Sequence, residues 1–193
     1  MLFDLIASET SPLSLSEEDV AALAACERGT ILLDVAARAD ATLIALTGTN
    51  GWITLSLRAG RLDGEQVLGA VGRPEGPSGA GSAGGIQRRV FDAEDALGLD
   101  DGRPHTIAVT VNETGTHLYA DGYECFSTTL TAFLAQIGLT DVRIDPDGIA
   151  AVTRLAAWDE PLSDRAVMAQ SLAATPLVQF AASELSARDA RRT

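Results

Sequence analysis

The sequence predicts an all-β protein, an antiparallel β-sandwich or jelly roll with short peripheral helices, and three observations carry that prediction. Apolar and polar residues alternate along Thr106–Val111: Ile107, Val109 and Val111 fall on one side and Thr106, Ala108 and Thr110 on the other, the period of a half-buried antiparallel strand. Two turn signals follow closely, a hairpin loop at Asn112-Glu-Thr-Gly115 and the dipeptide Asp121-Gly122, so His105–Tyr123 reads as a β-meander. Strand-like runs separated by turn residues then recur along most of the chain, the pattern of a sandwich.

Taken in order, residues 14–27 form the first element, an amphipathic helix with Ser14 and Glu17 as its capping box and Val20, Leu23 and Ala24 on one face. Gly29 stops it, and Thr30–Ala36 reads as a strand. Further strands are expected at Thr42–Leu46, Trp52–Arg58, Arg61–Val67, Ile86–Phe91, Thr106–Val111, Thr116–Ala120, Asp141–Ile144 and Ala151–Trp158. Residues 129–137 read as a helical turn or two, and a second helix opens at Ser163 and runs over 163–173. Residues 71–85 are rich in glycine and proline and read as an exposed connector. They lack the Gly-Lys-Ser/Thr ending of a phosphate loop.

With 193 residues, 46% of them hydrophobic, the chain can bury one sizeable core, placed here in residues 1–175, with 176–193 as a C-terminal extension. That extension, Pro176-Leu-Val-Gln-Phe-Ala-Ala-Ser-Glu-Leu-Ser-Ala-Arg-Asp, echoes Leu2-Phe-Asp-Leu-Ile-Ala-Ser-Glu and Leu15-Ser-Glu-Glu-Asp19, as the opening of a second repeat or the link to a further domain would. No apolar run approaches the roughly 18–20 residues of a membrane span, and the N-terminus lacks the basic and apolar regions of a signal peptide, so a soluble chain is expected, secreted or cytoplasmic. A formal net charge of −13 argues against nucleic acid, whose phosphates need a basic surface. Cys26 and Cys125, the only cysteines, lie too far apart in sequence for a Cys-x-x-Cys zinc motif; two reduced thiols or one disulfide both remain open.

Catalytic signatures are thin. Asp92-Ala-Glu94-Asp95 reads as a solvated acidic turn, and His105 and His117 have no Gly-x-Ser-x-Gly or cysteine partner that would make a nucleophilic triad.

The motif HTIAVTV…LYADGYE, with its His-Thr strand and Leu-Tyr-x-Asp-Gly hairpin, resembles the core of laminin G-like and concanavalin A-like domains. The segment from Val152 to Ala169, with Trp158 where a tyrosine usually stands and Leu162-Ser163 opening a helix, resembles the closing strand of such modules. Phe133-Leu-Ala-Gln-Ile-Gly138 and the helix-Gly-Thr-Ile start are similar to the lectin-like modules attached to bacterial sialidases, and the resemblance spans roughly residues 3–172. It implies a concanavalin A-like sandwich and a non-catalytic carbohydrate-binding role beside the catalytic domain of a larger glycoside hydrolase. The alternative is a laminin G-like structural or protein-interaction domain without sugar binding. The paired carboxylates of concanavalin A-like glucanases, Glu-x-Asp-x-x-Glu, are absent.

A sugar site on this fold calls for planar donors and an aromatic platform on one sheet face. Arg58, Arg89 and Arg143 are the candidate sugar-binding residues: alternation sets Thr54, Ser56 and Arg58 opposite Ile53, Leu55 and Leu57, Arg89 opposite Val90, and Arg143 opposite Val142 and Ile144. On one outward face they would form an anion fork for an acidic sugar; they also read as charges that merely offset surface acid. Trp52 and Trp158 read as core rather than platform. No cofactor is expected. The resemblance to laminin G-like domains brings in calcium at Asp145 and Asp147, where the residues themselves favour a plain Asp-Pro-Asp-Gly turn.

Overall fold

The computed structural model describes residues 1–7, 13–69, 87–92, 97–131 and 133–174. The glycine-rich stretch 71–85, most of the acidic run 92–95 and the extension 176–193 lie outside the described residues. Among the described residues eleven strands and three helices follow one another: β1 (Phe3–Ile6), α1 (Glu17–Ala24), β2 (Gly29–Ala36), β3 (Ala41–Gly48), β4 (Gly51–Arg58), β5 (Arg61–Leu68), β6 (Gln87–Asp92), β7 (His105–Val111), β8 (Thr116–Ala120), β9 (Tyr123–Thr128), α2 (Leu134–Ile137), β10 (Leu139–Ile144), β11 (Ala151–Trp158) and α3 (Asp164–Ala174). They build two antiparallel sheets, β1-β11-β2-β7-β8-β9 and β10-β3-β4-β5-β6. The fold is the expected antiparallel sandwich.

The main core lies between the sheets. Ile31, Leu33 and Val35 of β2, Ile107, Val109 and Val111 of β7 and Leu155 of β11 meet Ile44 and Leu46 of β3, Ile53, Leu55 and Leu57 of β4 and Leu62 of β5. Phe133, Leu134 and Ile137 close it from α2 and Leu23 from α1. Each fully buried aliphatic side chain contributes about 1.5–3 kcal/mol, so this layer dominates stability.

The expectation for β7 needs a correction: Thr106, Ala108 and Thr110 are buried as well, so the strand is not half exposed. A second apolar layer covers the outer face of the six-stranded sheet, where Leu32, Ala108, Tyr119, Ala156 and Trp158 pack under Val167 of α3 and Leu162. Polar groups buried beneath this cover are paired across strands. Thr30 Oγ1 lies 3.0 Å from Thr110 Oγ1, and Thr106 Oγ1 donates to Asp34 Oδ1 at 2.7 Å. Arg154 on β11 donates twice to Asp4 of β1, 2.8 Å each, and once to Gln170 of α3 at 3.0 Å.

The start of α1 also differs from expectation. Ser16, not Ser14, is its N-cap: Asp19 N–H donates to Ser16 Oγ at 3.1 Å while Ser16 N–H donates to Asp19 Oδ2 at 3.0 Å. Leu13 and Leu15 pack against the core, which keeps the chain extended past Ser14 and moves the box two residues on. Strands β1 and β9 were not foreseen; both are sheet edges.

Candidate binding face

With α3 on the six-stranded sheet and the buried residues of α1 and α2 in the inner core, the outer face of the five-stranded sheet carries no helix among the described elements. Its side chains follow from register. One row runs Arg143 (β10), Ala45 (β3), Thr54 (β4), Glu65 (β5) and Val90 (β6); the next begins Asp141, Thr47, Trp52 and Val67. These are the residues whose neighbours in sequence, such as Val142, Leu46, Ile53 and Leu55, turn into the core.

At the β10 end, Arg143 Nε donates to Asp141 Oδ2 at 2.8 Å, and the Arg143 side chain is 70% exposed. At the centre, Trp52 Nε1 donates to Glu65 Oε2 at 3.2 Å, which fixes the half-buried indole against its sheet. Trp52 belongs to neither apolar core, whereas Trp158 does, so the expectation of two core tryptophans holds for Trp158 alone. Between these two ends β3 supplies small side chains, Ala45 and Thr47. Neighbouring strands lie about 4.8 Å apart, so β10 and β4 stand roughly 10 Å apart across β3, where Ala45 is buried.

Of the three candidate arginines, the two with described side chains lie apart. Arg58 shares the outer face with Arg143 but sits at the far end of β4, its guanidinium 4.0 Å from both Asp40 and Asp63. Arg89 pairs with Gln66 of β5 and is described by its backbone alone. The residues that sequence reasoning passed over here are Trp52, Glu65 and Asp141. The alternation that put Thr54 and Ser56 outward puts Trp52 outward too, and this was the available signal.

Elsewhere the titratable groups serve the scaffold. His105 Nδ1 lies 2.8 Å from Asp121 Oδ2 and Nε2 lies 3.1 Å from Asp101 Oδ1, so carboxylates occupy both ring nitrogens. Burial alone would lower its pKa, but the hydrogen bonds and charges of Asp121 and Asp101 outweigh that and raise it above the usual 6.5. His117 is held between Glu124 Oε2 and Thr114 Oγ1, 3.2 Å each. Neither histidine faces a serine or cysteine nucleophile in these contacts. Asp145 Oδ1 accepts the N–H groups of Ile149 and Ala150, and Asp147 Oδ2 that of Thr42, so both carboxylates staple the Asp145–Gly148 turn. Among the described residues, no three His, Cys, Asp or Glu side chains gather as a metal site would require.

Both cysteines are free. Burial, and then the charge of Asp159, pushes the Cys26 thiol up, and burial pushes Cys125 up to about 11, so neither is a ready thiolate at neutral pH. Cys26 lines an open concavity of about 620 Å³ beside Leu2, Ala22 and Asp159, which gathers no reactive set. No helix among the described residues is long and apolar enough to cross a membrane.

Two antiparallel sheets packed face to face, one of them covered by a helix on its outer side, define a lectin-like jelly-roll sandwich. Solved structures share it. The carbohydrate-binding module CBM40 of Ruminococcus gnavus IT-sialidase, bound to α2,3-sialyllactose, superposes with a TM-score of 0.61 at 17% identity, over 88% of this chain and 98% of that one. The leech intramolecular trans-sialidase matches with the same TM-score at 14% identity, over 88% of this chain and 27% of that one. Mouse laminin α1 chain domains LG4-5 match with a TM-score of 0.50 at 17% identity, over 80% of this chain and 40% of that one. No protein-family model matches the sequence, and no curated protein sequence matches it.

Proposed function

We propose that this chain is a non-catalytic carbohydrate-binding module of a larger, bacterial glycoside hydrolase, and that its ligand lies on the outer face of the five-stranded sheet. The supporting observation is the set of groups on that face. An exposed guanidinium, Arg143, stands across β3 from an indole anchored by Glu65, on a fold whose solved counterparts include a module bound to sialyllactose. Hydroxyl-rich ligands need such a combination of planar donors, carboxylate acceptors and an aromatic surface. Of the three arginines singled out in the sequence, Arg143 is the one we assign to the ligand.

Titration calorimetry against a panel of oligosaccharides tests this reading. Saturable binding is expected, and Arg143→Ala is expected to lose about 1.5–3 kcal/mol, roughly ten- to a hundredfold in affinity, at an unchanged melting temperature. No saturation by any glycan at millimolar concentration would instead mark the domain as a scaffold that packs against its neighbours.

A further inference from the structure

We infer that Asp141 is a positioning residue of the candidate binding face: it takes the Nε–H of Arg143 and leaves the two terminal nitrogens of that guanidinium as the fork that meets the ligand. This rests on the carbohydrate-binding reading and deepens it. The local cause lies in β10. Leu139 belongs to the main core, and Val142 and Ile144 pack against it, although strict alternation from Leu139 would send Val142 outward and turn Asp141 and Arg143 inward. A bulge against β3 resets the alternation: Leu139 is partnered by Gly48 and Asp141 by Thr47, with Thr140 as the added residue. That one residue sets both Asp141 and Arg143 on the outer face.

Arg154 and Arg143 differ in how much of each guanidinium the protein consumes. Arg154 donates through Nε and Nη2 to the two oxygens of Asp4, 2.8 Å each, and through Nη2 again to Gln170 at 3.0 Å, and its side chain is 14% exposed. Arg143 gives up Nε alone, to Asp141 Oδ2 at 2.8 Å, and its side chain is 70% exposed. Among the described residues no hydrogen bond engages its two terminal nitrogens. Nε and one terminal nitrogen make up the side edge of a guanidinium and the two terminal nitrogens its end. With Asp141 on the side, the end is left to pair with two neighbouring ligand oxygens.

An ion pair this exposed adds little to stability, so the pairing of Asp141 with Arg143 needs another use. Order is that use. A long side chain already held in one direction avoids the cost of being immobilised by the ligand, about two- to tenfold in affinity. The role asks only for an acceptor facing the Nε–H, which a carboxamide oxygen supplies as well as a carboxylate does.

The test is titration of the full chain and its variants with a panel of neutral and sialylated oligosaccharides that includes lactose and 3′-sialyllactose. Asp141→Ala should bind about two- to tenfold more weakly than the parent at an unchanged melting temperature, and Asp141→Asn should recover most of that loss. In the Arg143→Ala background, Asp141→Ala should change affinity no further, because Asp141 acts through the guanidinium. Where that background binds too weakly to titrate, the comparison of Ala with Asn at position 141 decides by itself. An Asp141→Ala protein that binds like the parent, an Asn variant as weak as the Ala variant, or an equal loss in the absence of the Arg143 side chain would overturn the inference while leaving the carbohydrate-binding reading intact. Silence of the parent toward the whole panel at millimolar concentration would overturn both.

Discussion

Ala59 holds a backbone conformation that suits a different residue. It sits at φ 50° beside Gly60 at φ 73° in the turn joining β4 to β5, the left-handed pair of a two-residue hairpin where Asn-Gly is the favoured sequence. Its N–H is taken by Asp40 Oδ1 at 2.7 Å, a bond that any residue but proline would keep. Ala59→Asn or Ala59→Gly should therefore stabilise the protein by about 0.5–1 kcal/mol, seen as a higher urea midpoint at unchanged slope. His105 makes stability depend on pH. Its folded pKa is raised, so its contribution is fully present below the ordinary value of 6.5 and lost as pH rises through the folded one. Asp101 works in the opposite sense. Its pKa is lowered, first by the N–H of Arg103 and then by His105, so its contribution is present above the ordinary 3.8 and lost as pH falls through the folded value. The deficit of His105→Gln should be largest at mildly acid pH and narrow toward alkaline pH, as measured by denaturation across about pH 5 to 8.

At the scale of the element, α3 covers the outer face of the six-stranded sheet. Tyr119 O–H donates to Asp164 Oδ1 at 2.8 Å; burial, then Asp164, drives the phenol pKa far up, so the donor persists at any ordinary pH. Gly122, at φ +86°, lets Met168 of α3 come so close that a Cβ there would lie 2.8 Å from its Cα. Gly122→Ala should cost about 1–3 kcal/mol and lift α3, seen as a red shift of the fluorescence of Trp158, which is buried beneath it. The elements legible in the sequence were those with long alternating patterns or strong caps: β2, β4, β5, β7, β8, β11 and α3 lie within about two residues of expectation. β1 and β9 were not, because edge strands bury little; Tyr123 and Glu124 are exposed, and β9 carries a register shift against β8. The double burial of β7 was equally hidden, since Thr106 and Thr110 read as solvent-facing until α3 and the strands beside them supply partners.

For the whole molecule, alternation told which residues leave the core but not which of them meet. Arg58 and Arg143 do share a face, yet register along β10-β3-β4 separates them, and each has its own carboxylate. Register depends on turn geometry and on bulges such as those between Thr42 and Ile44 and between Leu139 and Asp141, which no local pattern in this sequence announces. The same topology sets an order of assembly. β11 lies between β1 and β2, and its Arg154 reaches Asp4 across 150 residues of chain. During synthesis, β1 and β2 therefore emerge long before the strand that joins them, and the middle of the larger sheet stays an open edge until nearly all of the sandwich has left the ribosome. A chain wired in this way folds slowly, and its vulnerable interval is translation rather than the finished state.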